Sequence, residues 1–253
     1  MTVCDPDLRE ERKLRREGHE WVAGLDEVGR GAWAGPLTVG VAVVRPRVQL
    51  RSVPAWLRDS KMLSEVRREE IFAAVGKWCE AWSVGHATPR ECDEWGMTEA
   101  LRVAARRALA GLGQSPDALL VDGPVNLLRQ AHQEETESYE GVVRPIVDGD
   151  ARCVSGAAAS VLAKVVRDRI MRDEADHFPV YAFERNKGYP SLVHQTALRG
   201  YGPSAIHRRS WAFMGELPWR GNPCPVRAHI SCVDDRQGQL FEESCPSSLA
   251  RSD

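Results

Sequence analysis

An α/β fold on a parallel or mixed sheet is what this sequence of 253 residues predicts, and three observations lead there. Residues 21–44, WVAGLDEVGRGAWAGPLTVGVAVV, set two apolar runs around a cluster of glycines, the pattern of strand, loop and strand. Two more short apolar runs, DALLVDG and RPIVDGD, end alike on an acid beside a glycine. Between and after them, MTEALRVAARRALAGL and SGAAASVLAKVVRDRIMR repeat apolar residues at helical spacing. Strands interspersed with such helices form an open sheet with helices packed on it.

Taken in order, residues 1–18 read as a charged arm, either a short solvated helix or disordered. Asp26 and Glu27 follow at the end of the first apolar run. Neighbours on an extended chain face opposite sides, so these carboxylates serve one site only where the strand ends and the backbone bends. Gly29, Gly31 and Gly35 supply the bend. Lacking a Cβ, they also let a phosphate or sugar approach backbone N–H groups, and Arg30 adds a permanent cation. Gly29, Gly31 and Ala34 fit the G-x-G-x-x-A spacing of dinucleotide sites. That reading fails, because Gly35-Pro36 leads into a strand and not a helix, and the two acids would repel a pyrophosphate. A hairpin with a merely solvated charged tip stays open as the plainer alternative.

Arg45 to Arg58 is a proline-punctuated loop leading into Asp59-Ser60-Lys61. Ser64 begins a helix with a partial capping box, since Arg67 and Arg68 stand where a Glu would complete it. CEAWSVGHA reads as a third strand with Trp82 and Val84 on one face, and Met97 to Leu112 as a helix closed by Gly111 and Gly113. The run Asp117 to Gly123 delivers Asp122 at a strand's carboxyl end, and RPIVDGD delivers Asp148 and Asp150. Residues 155–172 form a helix whose small residues at 156–159 permit close packing. Ser160, Lys164 and Arg167 share one face of it, with Val161, Leu162, Val165 and Val166 on the other. Pro179 ends that helix, a Gly-, Tyr- and basic-rich segment follows, and beyond about residue 216 the sequence becomes a Pro-, Cys- and Ser-rich tail.

Lys and Arg number 34 against 36 Asp and Glu, a formal charge of −2, so bulk charge does not mark a nucleic-acid binder. From Ser160 to Gly215, nine Lys and Arg face five Asp and Glu, a local excess of +4 that suits a phosphate backbone or a solvated helix face. The seven cysteines lack C-x-x-C spacing and read as free thiols in a reducing cytoplasm. No apolar run is long enough to span a membrane and no signal peptide opens the chain, so a cytoplasmic protein is expected.

Acids at strand ends recur: Asp26 with Glu27, then Asp122, then Asp150. A sheet can gather such ends at one edge, where open sheets place their sites. Four crowded carboxylates need cations to stay ionised. Oxygen-only ligation favours two Mg²⁺ or Mn²⁺ ions, which at about 3.5 to 4 Å apart are the recurring device for in-line displacement at a phosphodiester.

The motifs GLDEVGRG, DSK, VDG, GD before AAASVLAKVVRDR, NKGY and YGPSAIHRRSW occur in this order in ribonuclease HII, and over residues 20–213 the chain resembles that family. The resemblance implies a ribonuclease H-like fold, a mixed five-stranded sheet flanked by helices. It divides the chain into the arm 1–18, a catalytic domain 19–215 ending in a short helical segment, and a flexible tail 216–253. It implies an endonuclease that cuts the RNA strand of RNA/DNA hybrids and nicks duplex DNA 5′ of an embedded ribonucleotide, leaving 3′-hydroxyl and 5′-phosphate ends. Asp26, Glu27, Asp122 and Asp150 match the family's metal-binding carboxylates, Asp150 being preferred to Asp148 on family spacing. Gly29, Arg30 and Gly31 match the loop that meets the 2′-hydroxyl and its phosphate, Tyr189 the tyrosine at the junction, and Lys61 and Lys164 lysines near the backbone. Ala32 replaces a usual proline, and Pro190-Ser191 a usual Gly-Thr. Ser191 can still hydrogen-bond, whereas Pro190 removes a donor and fixes φ. His194 and His207 read as structural or phosphate-contacting. A non-catalytic duplex-binding protein of the same fold is the alternative, and a monomer is expected.

In the tail, Gln237, Gly238, Gln239, Leu240 and Phe241 resemble the peptide by which bacterial proteins bind the DNA sliding clamp. Leu240 and Phe241 are a large apolar pair in a polar context, suited to a hydrophobic groove on a partner.

Overall fold

The structure, a computed structural model, describes residues 6–45, 53–54, 57, 63–122, 139–146 and 149–217. The strands are β1 (Val22–Val28), β2 (Leu37–Val43), β3 (Ala81–Ala87), β4 (Ala118–Asp122) and β5 (Val142–Ile146). They form one five-stranded sheet in the order β3-β2-β1-β4-β5. β1, β2 and β3 pair antiparallel, whereas β4 runs parallel to β1 and β5 parallel to β4, so the sheet is mixed as expected.

Every residue of β2 and the first five of β1 are buried, because helices cover both faces of the sheet. Ala23, Leu25, Val39, Val41 and Val43 pack against Ala100, Leu101, Ala104, Ala105 and Ala108 of α3 (Pro89–Ala110). On the other face, Ala42 and Val44 pack against Val161, Leu162 and the alanines of α5 (Val154–His177). That contact is very close. A Cβ at Gly24 would lie 2.3 Å from Gly156 N, and one at Gly40 2.5 Å from Ala159 O. Strand glycines and the small residues 156–159 of α5 are thus two halves of one interface.

α3 begins well before the expected Met97. Thr88 accepts the Glu91 N–H at 3.2 Å while the Glu91 carboxylate accepts the Thr88 N–H at 2.7 Å, a complete capping box. Gly96, at φ +77, then interrupts the helix, so the regular apolar spacing starts only after the kink. Helix α2 (Glu65–Trp78) starts as expected, with the Ser64 hydroxyl accepting the Arg67 N–H.

One expectation needs correction. Residues 9–16 form α1, but not as a solvated arm: Leu14 and Glu11 are fully buried. Glu11 reaches the start of α5, where its carboxylate accepts the Ser155 N–H at 2.9 Å and hydroxyl at 2.8 Å. The face of α5 that carries Ser160 and Arg167 is buried, at 2% and 0% exposure. The sheet takes one side of α5, and α2, the glycine loop and α6 (Phe183–Asn186) pack on others, while Arg169, Asp173 and Asp176 stay exposed. Cys79, Cys92 and Cys153 are buried free thiols. Among the described residues, no helix is long and apolar enough to cross a membrane. Lys61 and the tail residues Gln237, Leu240 and Phe241 lie outside the described residues.

Candidate active site

The parallel register of β1 and β4 sets the acids. Leu25 pairs with Val121, so Asp26 and Asp122 each stand one residue further along adjacent strands and share a face. Asp26 pairs across β2 with Gly40, whose missing side chain leaves room for α5, and is 7% exposed. Asp122 ends β4, and its Oδ1 accepts the Gly149 N–H at 3.0 Å. Gly149 opens α4 (Gly149–Arg152), so the short helix carrying Asp150 begins against Asp122. Glu27 lies on the opposite side of β1, half-buried, with Oε1 3.7 Å from Arg30 Nη1. β1 continues through both acids to Val28, and the bend falls at Gly29, at φ +87. Among the described residues, no three His, Cys, Asp or Glu side chains form a group able to hold an ion. The Asp150 side chain is not among those described.

The loop from Gly29 to Pro36 is held from beneath by two buried guanidiniums. Arg167 donates to the carbonyls of Pro36 at 2.9 Å, Lys187 at 2.9 Å and Ala34 at 3.1 Å. Arg208 donates through Nε and Nη2 to Gly35 O and through Nη1 to Arg30 O. Burial lowers the Arg167 pKa to about 10, which leaves it charged at neutral pH. Gly29 can have no side chain here, since a Cβ would lie 2.2 Å from Arg167 Nε. Arg30, by contrast, is largely exposed at the loop's outer edge.

Tyr189 meets the loop directly. The Gly29 N–H donates to its hydroxyl at 3.0 Å, and its ring lies 5.5 Å from Lys164 Nζ and 5.3 Å from Arg167 Cζ. Lys164 is held to the buried Asp168 at 2.6 Å, and burial lowers its pKa. The turn before Tyr189 is built by Asn186, whose Oδ1 accepts the Gly188 N–H, and by Lys187 and Gly188 at φ +52 and +80. Lys187 is buried against Glu65 at 3.0 Å. Gly188 O in turn accepts the Trp33 and Ala34 N–H groups of the glycine loop. Ser191 caps α7 (Leu192–Tyr201), accepting the His194 N–H at 3.2 Å.

Arg167 and Arg208 stand within the sequence motifs, but nothing in those motifs marks them as the loop's supports. A signal for Arg167 exists: it falls between Ala163 and Met171 in a series of buried helical positions, where a cation needs fixed acceptors. His194 and His207 are buried, at 0% and 2% exposure, which favours the structural reading over a phosphate contact.

Comparison with known proteins places the chain in a family and a fold. The family model described as Ribonuclease HII matches residues 23–214. A ribonuclease HII of Streptomyces coelicolor is 45% identical over 242 residues, covering 95% of this chain and 98% of the relative. Among solved structures, the ribonuclease H2 from Pyrococcus horikoshii aligns with TM-score 0.63 at 28% identity, over 78% of this chain and 96% of its own. The ribonuclease HII from Archaeoglobus fulgidus, solved as a complex with PCNA, aligns with TM-score 0.62 at 26% identity, over 76% and 95%.

Proposed function

The chain belongs to the ribonuclease HII family, a phosphodiester hydrolase with a ribonuclease H-like fold, and we propose on that premise that it nicks duplex DNA 5′ of an embedded ribonucleotide as well as cutting RNA/DNA hybrids. One observation carries the reading: the Gly29 N–H bonded to the Tyr189 hydroxyl. It sets a backbone loop that can approach a 2′-hydroxyl closely beside an aromatic ring that can pack on the neighbouring sugar, three residues from Asp26 in sequence. The 2′-hydroxyl is what separates RNA from DNA at a single position.

Asp26, Asp122 and Asp150 are the residues that would hold Mg²⁺ or Mn²⁺ ions from the shared side of the sheet; Glu27 faces the other side of β1 and keeps its place as a fourth ligand of two ions on the family resemblance alone. The donor set fits hard cations, being all carboxylate, and Asp26 and Asp122 share a face in register. Bound there, the ions would supply an acidified water as nucleophile and charge stabilisation for the leaving 3′ oxygen. The chain's own residues do the rest. Asp122 fixes the start of α4 through Gly149, the Arg167 and Arg208 guanidiniums fix the loop, and Arg30 presents a cation to the adjoining phosphate. Lys164 adds positive charge beside Tyr189, tethered by Asp168, and Lys61 has the same proposed role at the substrate backbone.

The tail is proposed to bind the sliding clamp through Gln237, Leu240 and Phe241. The complex of the Archaeoglobus fulgidus ribonuclease HII with PCNA supports a clamp as partner, while the choice of these three residues rests on their sequence pattern alone. Tethering would raise the enzyme's effective concentration on DNA that holds ribonucleotides.

The test is to incubate the protein with duplex DNA carrying one ribonucleotide, in Mg²⁺, Mn²⁺ or EDTA, and to map the ends. Cutting 5′ of the ribonucleotide with 3′-hydroxyl ends, lost in EDTA, is expected. A 2′,3′-cyclic phosphate would overturn the mechanism, because it requires the 2′-hydroxyl and not water as nucleophile.

A further inference from the structure

His194 and His207 are buried side by side with Nε2 atoms 2.9 Å apart, beneath the Tyr189 turn. Their partners fix which nitrogens carry protons. His207 Nδ1 accepts the Ser204 N–H at 2.9 Å, so its proton sits on Nε2 and is donated to His194 Nε2. His194 Nδ1 then carries its own proton and donates it to the Tyr189 carbonyl at 2.9 Å. The result is a one-way chain from Ser204 through two neutral imidazoles to the backbone of Tyr189.

Both ends of that chain belong to the site. At one end, His207 forms a β-bridge with Ala34, and its neighbours extend it: Gly35 N–H donates to Ile206 O at 2.9 Å, and Arg208 N–H to Trp33 O at 2.8 Å. The backbone at His207 is therefore part of the glycine loop's frame. At the other end, Tyr189 is followed by Pro190, which has no N–H to anchor the turn, so the carbonyl bond to His194 holds the peptide between them. Rings of Trp33, Tyr181 and Phe183 surround the pair, with Tyr181 centred 4.7 Å from His207 and Phe183 5.4 Å from His194. In that apolar cage the imidazoles have one arrangement.

We infer that His194 and His207 are a positioning pair that sets Tyr189 against the glycine loop and so determines how well the protein discriminates a ribonucleotide junction. The inference rests on the assignment of Tyr189 to that junction. Neither histidine touches substrate; each acts through Tyr189. A displacement of the ring of the order of 1 Å would cost about tenfold or more in cleavage where the ring matters, and little where it does not.

The experiment compares kcat and KM on duplex DNA with one ribonucleotide and on a uniform RNA/DNA hybrid, using the full chain. His194→Leu is expected to lower kcat/KM at the lone ribonucleotide about tenfold relative to the hybrid. His194→Asn, whose side-chain amide can replace the Nδ1–H donor, restores most of that preference. In the Tyr189→Ala background, His194→Leu has less than about a twofold further effect, because the group it positions is gone. Equal losses on both substrates and in both backgrounds would mean that the pair only stabilises the fold. If Tyr189→Ala itself cuts both substrates normally, the junction assignment fails first, and that result is separate from the first. Should His194→Leu not fold, imidazole ¹⁵N shifts of the unaltered protein decide: a proton on Nδ1 of His194 and on Nε2 of His207 is expected, and the opposite tautomers overturn the chain.

Discussion

The amide of Gly29 donates to the hydroxyl of Tyr189 across 160 residues of sequence, at 3.0 Å. One hydrogen bond thus joins the loop proposed to read a 2′-hydroxyl to the ring proposed to pack at its junction. Removing the hydroxyl and removing the ring should therefore differ. Tyr189→Phe loses one hydrogen bond, about 1 kcal/mol or about fivefold in kcat/KM at a lone ribonucleotide. Tyr189→Ala also loses the stack, about 1–3 kcal/mol. Steady-state kinetics on the single-ribonucleotide duplex check the order; equal activity of all three proteins would reduce Tyr189 to a packing residue.

Arg167 is the loop's main support, and its loss should appear first as instability. Arg167→Leu strips the only donor that Arg167 gives to each of three carbonyls, those of Ala34, Pro36 and Lys187. Unsatisfied buried acceptors cost about 1–3 kcal/mol each. A total near 3 kcal/mol lowers the melting temperature by about 6–12 °C in a domain of this size. Arg167→Lys should recover little, because an ammonium cannot reach three carbonyls in the guanidinium's fork. A calorimetric shift below 2 °C for the Leu variant would show that the carbonyls find other donors.

Acid should destabilise the protein in part through its histidines. Burial, with nearby Arg107 and Arg167 in second place, lowers the His86 pKa to about 4, and burial beside His194 lowers that of His207 to about 3. Unfolded histidine titrates near about 6.5. Below that pH the unfolded chain binds protons that the folded chain refuses, so this stability is whole above pH 6.5 and is lost as pH falls through about 4 to 3. His86, bonded to the Thr38 hydroxyl at 2.9 Å, lies outside the proposed machinery and can be replaced. Urea midpoints at pH 7 and 4.5 should fall less in His86→Asn than in the unaltered chain; parallel declines would place the acid sensitivity on other groups.

How far the sequence could be read depended on whether an element declares itself locally. The strand pattern around Asp26, the Ser64 cap and the small residues 156–159 of α5 each carry their own signal, and the structure has all of them. What escaped is long-range. Nothing in REERKLRR tells that Glu11 will cap α5 at Ser155, 144 residues away, so a charged segment reads as a solvated arm. Arg167 and Arg208 look like phosphate contacts until the loop carbonyls that hold them are known. At the site, the glycines read as the bend that lets Asp26 and Glu27 serve one site, but β1 runs through both acids to Val28 and the bend follows them, so alternation leaves the two facing apart. The early start of α3 was legible in the capping box Thr88-Pro89-Arg90-Glu91 and was hidden by the absence of apolar spacing before Gly96.

The tail makes a separate prediction. A peptide spanning residues 232–246 should bind the cognate clamp at micromolar concentration, and the same peptide with Leu240→Ala and Phe241→Ala should not, because a groove-bound motif draws its affinity from those two side chains. Equal binding of both peptides, or none by either, leaves Gln237 to Phe241 without a partner.

The sharpest prediction concerns Asp26, because opposite signs are expected for stability and activity. Its carboxylate is 7% exposed on β1, in register with Asp122 on β4 and on the face that α5 covers. Two carboxylates so placed repel, so Asp26→Asn removes a repulsion and should leave the melting temperature within about 2 °C of the unaltered protein or slightly above it. If the same carboxylate holds a divalent cation, the variant should nonetheless abolish cleavage at saturating Mg²⁺. Binding to the folded state alone also stabilises it, by about 2.7 kcal/mol at a hundred times the dissociation constant. Titrating Mn²⁺ should therefore raise the melting temperature of the unaltered protein and leave that of Asp26→Asn nearly flat. A variant that is stable, inactive and still stabilised by Mn²⁺ would keep Asp26 in catalysis but remove it from the cation's ligands. Near-normal turnover would show that the reaction centre lies elsewhere on the sheet.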